Sequence, residues 1–229
     1  MSSLSSNPNV SENIYHVLLI TSHISKNPNG ETEKIQVLGS YASLEIAKAA
    51  AQSCLFDAGY EKEWFREYKT RPEELEQRKG PYRTPGLAVL AVAPDGTAFR
   101  VHILTTPNTA NWEGEKKEGE EGQSGLTPAI PSDLYYVVQT TFEYEDSDEK
   151  DINVEGMSTS YHEARELASR VLLSPEDGID KNSFARYDEA KANEADCGFG
   201  ENIIVHAVGG NGENYLVGVL PGQTLSATV

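Results

Sequence analysis

The sequence is poor in the residues on which several classes of site depend. Its two cysteines, Cys54 and Cys197, are too few for a disulfide framework and have neither a CxxC partner nor a histidine cluster for zinc. No apolar run approaches the roughly 18 residues of a membrane-spanning helix. Residues 1–13 lack the basic and apolar regions of a secretory signal. We therefore expect a soluble cytoplasmic protein, with the nucleus as the alternative compartment.

Basic residues are scarce relative to acidic ones. The chain has 19 Lys and Arg against 36 Asp and Glu, and its net charge at pH 7 is −17. Such a charge repels the phosphates of nucleic acids and the head groups of anionic lipids. Nucleic acid and membrane are therefore disfavoured as direct partners, whereas a basic protein is favoured.

An internal duplication organises the chain. Residues 14–18 and 134–138 are both apolar runs rich in β-branched and aromatic residues, as buried strands are. Residues 39–44 match residues 156–161 after a loop of different length. A repeat of this kind predicts that corresponding side chains are buried in corresponding places. A helical stripe follows in both copies at five matched positions: Leu44/Tyr161, Ala47/Ala164, Ala51/Ala168, Cys54/Val171 and Leu55/Leu172.

The ends of the two predicted helices carry their own signals. Ser43 and Ser160 are placed as N-caps, whose hydroxyls accept a bond from a first-turn N–H, and Glu163 completes the capping-box spacing after Ser160. Gly59 and Pro175 mark the predicted C-terminal ends.

Each copy then continues with an aromatic pair and closes with a hairpin. Phe65 and Tyr68 correspond to Phe184 and Tyr187, and the hairpins alternate apolar and polar residues with period 2. We therefore predict an α+β fold, a tandem duplication of a ββα(α)ββ unit in which an antiparallel sheet carries helices on one face. The predicted parts are a disordered tail (1–13), a first unit (14–104), an acidic glycine-rich linker (105–133), a second unit (134–220) and a C-terminal tail (221–229).

One segment resembles a recurring feature of uncharacterised proteins from filamentous fungi. It is Gly39-Ser40-Tyr41-Ala42-Ser43-Leu44-Glu45, followed by Ala47. The resemblance covers the start of one helix in each copy. It implies no catalytic residue, so the functional argument rests on the residues themselves.

The duplication also tests each candidate for chemistry against its counterpart. Cys54 corresponds to Val171, so its position accepts a hydrophobic residue and predicts core packing. Residues 146–151 begin like a calcium loop but lack its glycine. No histidine is matched by another: the pairs are His16/Tyr136, His23/Glu143, His102/Gly218, His162/Glu45 and His206/Leu90. The sequence therefore predicts no catalytic residue, no metal site and no cofactor.

Charge separates the two copies. Residues 14–104 contain 11 basic and 11 acidic residues, whereas residues 134–220 contain 6 basic and 18 acidic ones. One interpretation is a solvated surface that maintains solubility. The other is a docking face for a basic protein on a non-catalytic binding protein, with exposed tryptophans as further anchors. The partner-binding candidates are Trp64, Trp112, Glu143, Glu145, Asp146, Asp148, Glu149 and Asp151.

A second hypothesis places a pocket between the two units. Interfaces between domains often hold small-molecule sites. His102, Tyr187 and His206 are the first candidates to line such a pocket, in a small-molecule-binding protein or an enzyme. Open sheet edges could pair with each other or with a second chain, so the sequence leaves the oligomeric state undetermined.

Overall fold

The computed structural model describes residues 11–23, 33–76, 85–110, 112, 133–143 and 150–223. Within these ranges the chain forms two five-stranded antiparallel sheets with helices packed against each, which confirms the predicted α+β fold. Most of the predicted tails and linker and the calcium-like loop 146–149 lie outside the described residues. No helix in the described part is long and apolar enough to cross a membrane.

The first unit begins with a hairpin, continues through a helix and closes with a second hairpin. Helix α1 (Leu44–Asp57) packs on one face of the sheet, and the short helix α2 (Pro72–Glu76) contacts its fourth strand. The strand order is β2-β1-β5-β4-β3. The strands are β1 (Asn13–His23), β2 (Lys34–Tyr41), β3 (Glu67–Lys69), β4 (Leu87–Val92) and β5 (Thr97–Pro107).

The second unit repeats this plan with the strand order β7-β6-β10-β9-β8. Helix α3 (Tyr161–Ala168) takes the place of α1. The strands are β6 (Tyr135–Glu143), β7 (Lys150–Ser158), β8 (Arg186–Glu189), β9 (Ile203–Val208) and β10 (Glu213–Pro221).

The two sheets share irregularities as well as strand order. A β-bulge lies between Val17 and Leu18 in the first unit and between the matched residues Val137 and Val138 in the second. The closing hairpins are also bulged at matched positions. A register that repeats down to its bulges indicates two similar units, as the sequence predicts.

The helix faces also correspond. Ala47 is fully buried on the sheet-facing side of α1, and its counterpart Ala164 on α3 is 1% exposed. Cys54 belongs to the core of the first unit, where burial raises the pKa of its thiol to about 12. Val171 packs against the matching core of the second unit. The interpretation of Cys54 as a packing residue is therefore consistent with its surroundings.

The second helix is shorter than its sequence stripe suggests. The α-helix ends at Ala168. A bond of the 3-10 type follows, in which Arg170 N donates to the Leu167 carbonyl three residues back. The predicted N-caps also differ. Ser160 accepts a bond from Glu163 N at 3.5 Å, whereas Ser43 makes no side-chain cap bond. Glu163 bonds to Ser158 instead of closing the capping box.

In both closing hairpins, one residue just before the first strand has a positive φ, in addition to the glycine of the turn (Gly96 and Gly212). It is Gly86 in the first unit (φ 87°) and Asn202 in the second (φ 65°), and each carbonyl accepts a bond from β5 or β10. A Cβ added to Gly86 would lie 2.1 Å from the Ile103 carbonyl oxygen. The first unit therefore requires glycine at this bulge.

We predict that Gly86→Ala lowers the free energy of unfolding by more than about 3 kcal/mol, because it combines backbone strain with this overlap. Gly178→Ala is the control, since Gly178 also has positive φ (73°) but an added Cβ would meet nothing within 4 Å. We expect it to lose about 1 kcal/mol in urea denaturation. Equal losses at both positions would refute the role of the Ile103 contact.

The two sheets pack face to face through the surfaces that the helices leave uncovered. One apolar cluster joins strands of both units, and most of its members form matched pairs. Equivalent residues also touch each other directly: His16 meets Tyr136, and Glu33 pairs with Lys150 at 3.3 Å. The units are thus related by an approximate two-fold axis, as in a symmetric dimer joined into one chain. The matched core pairs are Ile14/Leu134, Leu18/Val138, Ile35/Ile152, Val37/Val154 and Leu104/Leu220.

The chain end strengthens this contact. Gly222 forms a parallel bridge with Val37 on the edge strand β2, and the Gln223 amide donates to the Val37 carbonyl at 2.9 Å. The Gln36 and Gln223 side chains are joined at 2.6 Å. The start of the predicted C-terminal tail therefore belongs to the ordered structure and ties the second unit to the first.

Candidate acidic docking surface

Every basic side chain of the second unit is engaged within the chain. Lys150 lies in the interface with Glu33, and Arg165 donates to the carbonyls of Ala190 and Lys191 at 3.1 and 2.7 Å. The other four have partners close by in sequence: Arg170 with the Glu166 carbonyl, Lys181 with Glu189, Arg186 with Asp188, and Lys191 with Glu194. These cations are paired within the chain, and other carboxylates of the second unit are left uncompensated.

Three of the uncompensated carboxylates lie together at one end of the second sheet. Glu143 ends β6, Glu213 begins β10, and the two are direct cross-strand neighbours. Asp151 lies near the start of β7, paired with Thr141. We call Glu143, Asp151 and Glu213 the acidic end. Among the described residues none of the three has a basic partner.

Like charges directly opposite each other in a ladder destabilise a sheet. The matched pair in the first unit is His23 and Thr97, which is not a pair of like charges. The second unit therefore contains a like-charge cross-strand pair, Glu143 and Glu213, at a position where the first unit has none. The candidates Glu145, Asp146, Asp148 and Glu149 fall between β6 and β7, outside the described residues.

The two candidate tryptophans occupy different environments. Trp112 packs against the core between the sheets, and the Asn108 side chain binds both its backbone N–H and its carbonyl. Trp64 is 44% exposed at the end of a short 3-10 turn in the first unit. Trp64 is therefore the more exposed of the two.

The three pocket candidates do not converge. His102 lies buried in the first sheet, where burial lowers its pKa to about 4. Tyr187 points to the helix side of the second sheet and donates to the Ser169 carbonyl at 3.3 Å; burial first, and then Glu189, raises its pKa to about 12. His206 lies on the opposite face of that sheet, between Asp188 and Asn214, under the ring of Phe199.

The space between the units is filled by the inter-sheet core rather than by a cleft among the described residues. An open groove of about 290 Å³ lies elsewhere, between α3 and β8. Its imidazole–carboxylate pair, His162 and Glu166 at 3.6 Å, is largely solvated, and its Arg165 is held by backbone carbonyls. Solvated groups of this kind lack the desolvation that tunes catalytic acids and bases.

A buried polar chain at the interface was not anticipated from sequence. Ser40 donates to the Tyr136 hydroxyl at 3.0 Å, so its oxygen is left to accept from His16 Nδ1 at 2.7 Å. Nε2 of His16 then accepts from the Thr106 hydroxyl at 2.8 Å. The imidazole is thus satisfied in its neutral form, and burial lowers its pKa to about 4.

The described residues contain no group of three or more His, Cys, Asp or Glu side chains placed to hold a metal ion. Cys197, the remaining cysteine, is partly buried, and burial raises its pKa. What the arrangement offers chemically is therefore a negative surface and an exposed indole on a closed scaffold. Comparisons with protein-family models, curated proteins and solved structures found no match, so the function is argued from these residues.

Proposed function

We propose that the protein is a non-catalytic binding protein that docks a basic protein partner on the acidic end of its second unit. The observation that carries the proposal is the cross-strand pair of Glu143 and Glu213, two like charges without a basic partner among the described residues. A partner that supplies cations at this place would relieve the repulsion on binding. The net charge of −17 would speed the encounter at low salt.

The engaged cations of the second unit explain why the site favours a positive partner. Lys181, Arg186 and Lys191 are each paired with a neighbouring carboxylate, so they do not neutralise the acidic end. Attraction between exposed charges is screened over about 10 Å at 0.1 M salt. Binding should therefore weaken steadily as salt is raised.

The test compares two variants that remove the same number of charges. Glu143→Gln with Glu213→Gln removes the cross-strand pair of charges from the acidic end and leaves Asp151, and Glu45→Gln with Glu73→Gln neutralises two exposed residues of the first unit. Binding of a fluorescein-labelled nonapeptide of alternating Lys and Gly is measured by anisotropy from about 50 to 500 mM NaCl. We expect about tenfold weaker binding for the first variant and less than twofold for the second.

Stability separates a lost site from a lost fold. The Glu143→Gln and Glu213→Gln pair should unfold at an equal or higher urea concentration than the parent, because it removes a repulsive cross-strand contact worth up to about 1 kcal/mol. If both double variants weaken binding equally, the attraction belongs to the net charge of the whole chain and the docking site is refuted.

A further inference from the structure

The 3-10 turn that carries Trp64 has a matched turn in the second unit. Lys62–Trp64 and Lys181–Ser183 occupy the same place, each after a glycine at positive φ and each before the aromatic pair that the two copies share. Inner aromatic residues are common to both units, since Phe184 and Tyr187 contact each other as Phe65 and Tyr68 do. The two turns thus have the same backbone structure but different residues, so they can be compared directly.

In the second unit this turn closes on itself. Asp180 accepts a bond from Asn182 N at 2.7 Å, and Ser183 accepts one from Asp180 N at 3.0 Å, which completes a capping box. The acidic side chain and the hydroxyl are both used within the turn. The lysine of the turn, Lys181, is paired with Glu189.

In the first unit the same turn is left open. Glu61 replaces the capping aspartate, is exposed and makes no side-chain cap bond. Trp64 replaces the capping serine and exposes 44% of its surface. Lys62, between them, lies over the Tyr68 ring at 5.9 Å rather than against Glu61.

The indole of Trp64 is held in a fixed orientation. Tyr60 lies beside it at 5.1 Å with an interplanar angle of 35°, and Phe65 meets it edge to face at 5.1 Å. Side chains three residues apart are eclipsed in a 3-10 turn, and Trp64 N is bonded to the Glu61 carbonyl, so Glu61 and Trp64 share one side of the turn. A preoriented aromatic surface beside a carboxylate loses little entropy on binding.

We infer that Trp64 and Glu61 form a binding site for an arginine side chain of a protein partner. A guanidinium stacks on an indole face by cation–π attraction and donates in-plane hydrogen bonds to a carboxylate at the same time. Glu63, also exposed, adds negative charge; the neighbouring cations in the sequence are Lys62, which lies over the Tyr68 ring, and the exposed Arg66. The site lies on the first unit and rests on its own observation, so it extends beyond the proposed acidic end.

The test uses the full chain with Trp112→Phe, so that Trp64 is the remaining tryptophan, and hexa-arginine and hexa-lysine peptides as probes. Hexa-arginine should change Trp64 emission saturably and bind at least threefold more tightly than hexa-lysine. In the chain with both original tryptophans, anisotropy of labelled hexa-arginine should show at least tenfold weaker binding for Trp64→Ser and about fivefold for Glu61→Gln.

A matched control removes another exposed aromatic residue of the same unit. Phe56→Leu introduces the residue found at the matched position 173 and should change binding less than twofold. Glu61→Gln alters a surface side chain alone, so it tests the site even if Trp64→Ser loosens the aromatic cluster. Binding within twofold of the parent for both Trp64→Ser and Glu61→Gln would overturn the inference.

The acidic end is separated from this site by repeating the series with Glu143→Gln and Glu213→Gln. We expect Trp64→Ser to weaken hexa-arginine binding tenfold in that double-variant chain as well. If Trp64→Ser no longer weakens hexa-arginine binding in the chain with Glu143→Gln and Glu213→Gln, the peptide reaches Trp64 only through the acidic end. That result would refute an independent site. A different outcome would refute the proposed function alone. In it, Trp64→Ser still weakens hexa-arginine binding tenfold, whereas Glu143→Gln with Glu213→Gln leaves binding of the Lys–Gly nonapeptide unchanged.

Discussion

Lowering the pH from 7 to 4 is expected to reduce the free energy of unfolding by about 3 kcal/mol for each of two buried histidines. Burial lowers the pKa of both His16 and His102 to about 4 from the ordinary value of 6.5. Between these values the unfolded chain binds protons that the folded chain does not. The contribution of the two neutral histidines to the free energy of unfolding is therefore fully present above pH 6.5 and is lost as the pH falls toward 4.

The measurement is urea denaturation at half-unit steps of pH, with His16→Gln to remove one histidine. The variant should be less stable at pH 7, because it disturbs the chain from Thr106 through Ser40 to Tyr136, but its stability should fall less steeply between pH 6.5 and 4. His162→Gln is the control, because it removes an exposed histidine on α3 in place of a buried one. An equal slope in parent and His16→Gln would contradict the assignment.

His16 also shows what the sequence reveals and what it does not. Its counterpart is Tyr136, and this mismatch is the reason that the sequence predicts no repeated acid–base site. The contact between these two residues depends on how the sheets face each other, and hydrophobic periodicity does not encode that arrangement. Periodicity identifies which strand face is buried but not which surface covers it.

Four strands of each unit, the hairpins that pair them and the buried helix positions follow from local pattern and duplication, whereas the short edge strands β3 and β8 at the aromatic pairs are not predicted. Alternation with period 2 and the matched stripes place Ala47 and Ala164 correctly, because burial of one face governs both the sequence and the fold. The end of α3 is less predictable. Val171 and Leu172 continue the apolar stripe and still pack on the core, although the backbone has already left the α-helix at Ala168.

The candidate sites divide in the same way. The excess of acidic residues in the second unit is visible in composition, but the opposition of Glu143 and Glu213 requires the strand register. Trp64 and Trp112 look alike in sequence, since both stand among charged residues. Only tertiary contacts distinguish the indole that packs on the inter-sheet core from the one that remains exposed.

Tyr136→Ala is expected to lower the free energy of unfolding by about 4 kcal/mol or more. Tyr136 is among the largest fully buried side chains, at the centre of the contact between the sheets. Its removal leaves a cavity that two rigid sheets cannot close, and it deprives the Ser40 hydroxyl of its acceptor. Tyr136→Phe removes the hydroxyl alone and should lose about 1 kcal/mol.

The adjacent residue provides the control. Tyr135 is partly buried on the helix side of the same strand, against Tyr161, so Tyr135→Ala disturbs one unit and should lose less than Tyr136→Ala. Because the Tyr136 side chain joins both units, we expect one cooperative urea transition in the parent, shifted but still single in Tyr136→Phe. Two separate transitions in the parent, with Tyr136→Ala affecting only one, would show that the units are stable independently and that the shared core does not couple them.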